Sequence, residues 1–103
     1  MSEYRPDRWV IVEITNGEGD VHRRVLGSWY GGFAGSNSYR FSSGITAWHD
    51  RGDHYEIENE SGSVYFCGKH NTGMSAFTMG ILANQEKMLG EKGGSIKVVE
   101  IDV

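Results

Sequence analysis

The sequence predicts an α+β protein: an antiparallel β-sheet or partly open small barrel of five to seven strands, with one α-helix over about residues 73–89 packed on it. Three observations point there. From Arg8 to His70 much of the chain alternates apolar and polar residues at the period of a strand, broken by short turn-forming clusters. After Gly73 the spacing of apolar residues becomes helical. Glycine is frequent, 15 of 103 residues, while proline occurs once, at Pro6. That combination marks tight turns and strand bends rather than a disordered linker.

The first strand is RWVIVEIT, residues 8–15. Val10, Val12 and Ile14 share one face, and Trp9, Ile11, Glu13 and Thr15 share the other. Asn16-Gly17 follows, a hairpin signal because this pair tolerates the positive φ such turns need. VHRRVLGSWY, residues 21–30, is the return strand, with Gly27 a candidate bulge. After a glycine- and serine-rich stretch, SYRFSSGITAWH resumes strand character with a bend at Gly44. Asp50-Arg51-Gly52-Asp53 turns the chain; the tripeptide within it, known from cell adhesion, reads here as a turn alone. HYEIENE, residues 54–60, sets Tyr55 and Ile57 against His54, Glu56, Glu58 and Glu60. VYFCGKH is the next strand. The helix carries Met74, Phe77, Ile81, Leu82, Met88 and Leu89 as an apolar stripe, with Thr72 or Asn71 to cap its start and Gly90 or Gly93 its end. Gly80 in its interior suggests the close approach of another backbone. SIKVVEIDV closes the chain as a strand apolar on both faces, which favours a central position, beside the first strand.

Length implies one domain, residues 1–103, with one modest core. Cys67 is the sole cysteine, so no internal disulfide forms. The opening MSEYRPDR is polar, with no apolar leader and no run long enough to span a bilayer, so the expected location is cytoplasmic. Residues 1–52 balance six acids with six arginines, whereas residues 53–103 carry eight acids and four lysines, the origin of the net charge of −4. That balance argues against a general nucleic-acid binder, which shows a basic surplus, and is too mild for a nucleic-acid mimic.

Four constellations are candidate sites. GSWYGGFAGSNSYRFSSGI, residues 27–45, combines glycines and serines with Trp29, Tyr30, Phe33 and Tyr39. It lacks the glycine–lysine or GxGxxG spacing of a phosphate loop. Its rings either fold back on the sheet or form an exposed anchor for a protein partner. On the strand at 54–60, Glu56 and Glu58 form an acidic face suited to a basic partner. His54 and Glu56 side by side, with His49 across the turn, are the only grouping resembling metal ligands, and they lack a converging fourth. No metal or other cofactor is expected. Cys67 and His70 lie three apart at a strand end, but free cysteine in such a pattern is commonly a buried small hydrophobe. Arg23, Arg24 and Arg40, with Tyr30, Tyr39 and Phe33 as stacking rings, compose the alternative: a small-barrel nucleic-acid-binding protein.

The blocks GSWYGGFAGSNSYRFSSGI, SGSVYFCGKH and GMSAFTMGIL, in that order across residues 9 to about 82, resemble a group of small uncharacterised proteins encoded by bacteriophages. The resemblance implies a small accessory protein made inside an infected bacterium and acting on a host or defence protein. That group has no assigned catalytic residues, so none carries over. The leading expectation is a non-enzymatic protein-binding module, monomeric or homodimeric, that works through Trp29, Tyr30, Phe33, Tyr39, Glu56 and Glu58.

Overall fold

The computed structural model describes residues 2–32 and 37–101. Within them lie eight strands, one α-helix and a short 3-10 turn (Lys69–Asn71): β1 (Glu3–Tyr4), β2 (Arg8–Thr15), β3 (Val21–Trp29), β4 (Ser38–Phe41), β5 (Ile45–Asp50), β6 (His54–Asn59), β7 (Val64–Gly68), α1 (Ala76–Glu91) and β8 (Ser95–Val99). The fold is α+β, as the residue periodicity predicts. The strands form two four-stranded sheets, ordered β4-β3-β2-β8 and β1-β7-β6-β5, that do not close into a barrel. All pairings are antiparallel except β1 with β7.

The layers follow from β2. Its two apolar faces are both buried because it lies inside its sheet with packing on either side. Val10 and Val12 join Leu26, Ile96 and Leu82 of α1 in one core; Ile14, Phe41, Met74 and Leu89 pack around it. Trp9 and Ile11 join Val25 and, from the second sheet, Ile57, Tyr65 and Cys67 in the other. The order is therefore helix, sheet, sheet. Burying a side chain such as Ile57 or Leu26 contributes about 1.5–3 kcal/mol. The helix stripe is narrower than its sequence suggests: Leu82 and Leu89 face the sheet, whereas Met88 is exposed.

Several local expectations are corrected. β8 pairs with β2 but forms the edge of its sheet, not its centre. Both of its faces are apolar because Ile96 meets the helical core and Val99 the inter-sheet core. The helix cap is Ser75, not Thr72 or Asn71. Ser75 N–H donates to Thr78 Oγ1 at 2.9 Å while Ser75 Oγ accepts from Thr78 N–H at 3.5 Å, a reciprocal pair that satisfies donors otherwise orphaned at a helix start. Gly27 makes no bulge, since β2 and β3 pair in unbroken register. A Cβ there would lie 3.1 Å from Pro6. A Cβ on Gly80 would meet nothing beyond its own helix within 4 Å, so no other backbone approaches it closely.

The hairpin after β2 shows why its glycines are needed. Asn16 Oδ1 accepts from the N–H groups of Glu18 (2.9 Å) and Asp20 (3.0 Å), and Gly19, not Gly17, takes the positive φ of 89°. Gly17 is required for another reason: a Cβ on it would sit 2.3 Å from the Lys92 carbonyl oxygen. Likewise a Cβ on Gly94 would sit 2.5 Å from the Thr15 carbonyl oxygen. The hairpin thus docks backbone against backbone on the connection from α1 to β8.

Candidate functional site

The glycine–aromatic stretch divides into an anchored and an exposed part. Trp29, at the end of β3, is half-buried against the inter-sheet core. Its Nε1–H donates to the Arg5 carbonyl at 3.0 Å, and its ring meets Tyr4 edge-on at 6.3 Å. Tyr30 is half-buried: its N–H donates to Asp7 Oδ2 (2.8 Å), and its hydroxyl lies 2.9 Å from Ser28 Oγ. Burial raises the pKa of that hydroxyl, but the bond to Ser28, the nearby Ser75 and Thr78 and the Arg8 charge outweigh it and hold it below its ordinary 10.0. Phe33 lies outside the described residues. Tyr39 is different. It sits on β4, which pairs only with β3 and so leaves an edge open among the described residues. The residue remains 43% exposed although its ring meets Phe41 (6.1 Å) and Phe77 (6.0 Å) edge-on.

The outer face of β6 is less uniformly acidic than its sequence reads. Glu58 Oε2 is 2.6 Å from His49 Nε2, Glu56 Oε2 is 3.3 Å from Arg51 Nη2, and Asp53 Oδ1 is 2.6 Å from His54 Nδ1. The hydrogen bond from His54 holds the Asp53 carboxyl below its ordinary range. Phe66 on β7 lies in the same face, under the Arg5 guanidinium at 4.4 Å. The face is a mosaic of paired charges around one ring, and exposed pairs of this kind contribute about 0–1 kcal/mol each. His49, His54 and Glu56 do not converge: each histidine is engaged by a different carboxylate. Among the described residues, no group of three or more His, Cys, Asp or Glu is arranged to hold a metal ion. Cys67 is fully buried, and burial pushes its thiol up to about 12, far from the thiolate a nucleophile requires.

The three arginines of the nucleic-acid reading do not form one surface. Arg23 and Arg24 are neighbours on β3 and so point to opposite sides of their sheet. Arg23 is paired with Glu13 at 3.0 Å, and Arg24 Nε is buried without a hydrogen-bond partner. Arg40 lies on β4 with its guanidinium 4.8 Å from the centre of the Tyr4 ring.

Glu13 also receives Lys97 at 3.5 Å. The hydrogen bond from Arg23, foremost among the groups that lower it, holds its carboxyl below the ordinary 4.5 against the opposing effect of burial. A depressed folded-state pKa adds stability that is present above the unfolded value and is lost as pH falls through the folded one. Urea midpoints are therefore expected to be flat above about pH 4.5 and to fall below it. Glu13→Gln is expected to flatten that acid limb, and an unchanged limb would contradict the role given to Glu13.

One polar cavity was not foreseen. It opens between β1, β7 and the β4–β5 connection, has a volume of about 450 Å³, and is lined by Tyr4, Arg40, Tyr65 and serines from two turns. The serine-rich turns at 42–43 and 61–63 flank the β5–β6 hairpin, and the pairing of Ile45 with Asn59 brings them to the same end. The two serine clusters are visible in the sequence, but their meeting depends on that pairing.

Comparison with protein-family models, curated proteins and solved structures finds no match.

Proposed function

We propose that this chain is a non-catalytic protein-binding module, an accessory protein that works in the cytoplasm of a phage-infected bacterium by docking on a host or defence protein. The observation that carries the reading is Tyr39: a large aromatic residue left 43% exposed on an open edge strand, its ring backed by Phe41 and Phe77. A rigid ring held from behind by other rings is the kind of anchor that dominates interface energetics. The free edge of β4 offers backbone donors and acceptors to an added strand. Trp29 and Tyr30 support this corner from inside by fixing the exit of β3. Glu56 and Glu58 contribute a rim of charge on another face.

The remaining chemistry is consistent with a surface role. The one thiol is sealed in the core, and two histidines are tied to carboxylates. Among the described residues, no helix is long and apolar enough to cross a membrane.

The test compares bait proteins in bacterial lysate. A partner retained by the native chain is expected to be lost with Tyr39→Thr, because truncating an interface anchor costs about 2 kcal/mol or more, roughly thirty-fold in affinity. The variant should remain folded, since the two ring contacts removed are worth about 0.5–1.5 kcal/mol each against a total of about 5–15 kcal/mol; its circular dichroism at the assay temperature checks this. A partner that ignores the substitution would overturn the assignment. So would tight, steeply salt-dependent binding of an oligonucleotide, which reports phosphate contacts.

A further inference from the structure

We propose that the cavity beneath Arg40 is a binding site for a tetrahedral oxyanion, a phosphate group either free or carried on a small organic molecule. This inference is independent of the protein-docking reading.

Tyr65 makes the case. It is 1% exposed, and its hydroxyl is shut off from water with no hydrogen-bond partner. Buried tyrosine hydroxyls ordinarily find one. Tyr65 is among the residues lining a polar cavity, and a ligand oxygen reaching its hydroxyl from there would complete it. Burial pushes its pKa up to about 12, so at neutral pH it retains its proton and can donate.

Arg40 supplies the charge. Its guanidinium rests over the Tyr4 ring, close to the Tyr65 oxygen but outside hydrogen-bond geometry with it, and it forms no ion pair with any described carboxylate. An unpaired arginine is notable in a chain of net charge −4. Its fork of N–H donors matches phosphate oxygens in pairs.

The serines add one more donor. Ser43 Oγ donates to Ser61 Oγ at 3.1 Å, the Ser61 and Ser63 hydroxyls are 3.1 Å apart, and Asn59 Nδ2 donates to Ser63 Oγ at 3.2 Å. Each hydroxyl has one proton. Ser43 commits its own to Ser61, and the Ser61–Ser63 bond uses one of the remaining two. Among these three residues one serine proton is left for a ligand, and Ser2 lines the cavity as well. The site thus presents a guanidinium, a tyrosine hydroxyl and a serine hydroxyl, with no carboxylate among its lining residues. A cation would meet the Arg40 charge, and an apolar ligand would leave Tyr65 unsatisfied. A tetrahedral anion offers acceptor oxygens in as many directions as the donors approach from.

The test is an amide chemical-shift titration of ¹⁵N-labelled protein with inorganic phosphate, glycerol phosphate, acetate and chloride at matched ionic strength. Saturable shifts clustered at residues 40–43 and 61–65 are expected with phosphate or glycerol phosphate. Arg40→Ala and Tyr65→Phe are each expected to weaken them about tenfold or more, the usual consequence of losing a hydrogen bond to a charged group. Tighter binding of the ester identifies an organic phosphate as the source, and equal binding identifies free phosphate; both support the site. Tyr65→Phe removes only an oxygen that has no partner, so its melting temperature should equal or exceed the native value, and its loss of binding cannot reflect unfolding. Shifts that never saturate, that map elsewhere, that acetate reproduces equally well, or that persist in both variants would overturn the proposal.

Discussion

Trp9→Ala is expected to destabilise the protein by about 3–5 kcal/mol, the range for removing a large aromatic side chain from a core. Small domains have about 5–15 kcal/mol in total, so the variant should be largely or partly unfolded at 37 °C. The size of the effect comes from where the ring sits. Trp9 belongs to the central strand β2 yet points into the inter-sheet core, is 4% exposed, and meets Tyr55 edge-on at 6.0 Å. Its Nε1–H donates to the Gly68 carbonyl at 2.7 Å, and its own carbonyl accepts from Gly73 N–H at 2.9 Å. One residue therefore joins the end of β7 to the sheet beneath it. Trp9→Phe keeps most of the apolar surface but orphans the Gly68 carbonyl, and should fall between native and alanine. Urea unfolding followed by circular dichroism measures both. A loss below about 1 kcal/mol for the alanine variant would mean that the two sheets do not share this core.

Gly94→Ala is expected to cost about 1–3 kcal/mol or more, the range for overpacking a well-filled site. The added methyl would meet the Thr15 carbonyl oxygen at 2.5 Å and the Leu89 carbonyl oxygen at 3.4 Å. Both are backbone atoms, which cannot rotate aside. Gly94 does not adopt a positive φ, so the effect isolates steric contact from backbone strain. Gly80→Ala provides the opposite sign in the same chain. With nothing within 4 Å and a place inside α1, it should stabilise by about 0.8–1 kcal/mol, the difference in helix propensity. Thermal unfolding of the pair should shift midpoints in opposite directions.

Much of the fold is legible in the sequence because burial imprints a period. Strand β6 shows Tyr55 and Ile57 facing inward and Glu56 and Glu58 outward, as alternation requires. The helical stripe locates α1, and Gly93 ends it with a φ of 79°. Alternation reports faces, however, not partners. It cannot show that the chain leaves one sheet at Ser42 and enters the other at Ile45. Ser42 manages that exit by standing in for a strand: its N–H donates to the Val25 carbonyl (2.8 Å) and its Oγ accepts from Val25 N–H (2.8 Å). Nor can a two-residue strand such as β1 carry a readable period. The candidate site was legible in part. Composition marks residues 27–45 as unusual, but it does not separate Trp29 and Tyr30, which anchor inward, from Tyr39, which stays exposed. The cavity under Arg40 depends on β-pairing that joins distant turns, and on a hydroxyl whose missing partner only coordinates reveal.

The surface assignment is tested most directly by hydrogen exchange of the native chain, free and with the protein it retains from lysate. Docking on the Tyr39 corner predicts slowed exchange at β4 and the first turn of α1, with the outer face of β5, β6 and β7 unchanged. Slowing confined to β6 and β7, or to residues 61–65 around the cavity, would contradict it.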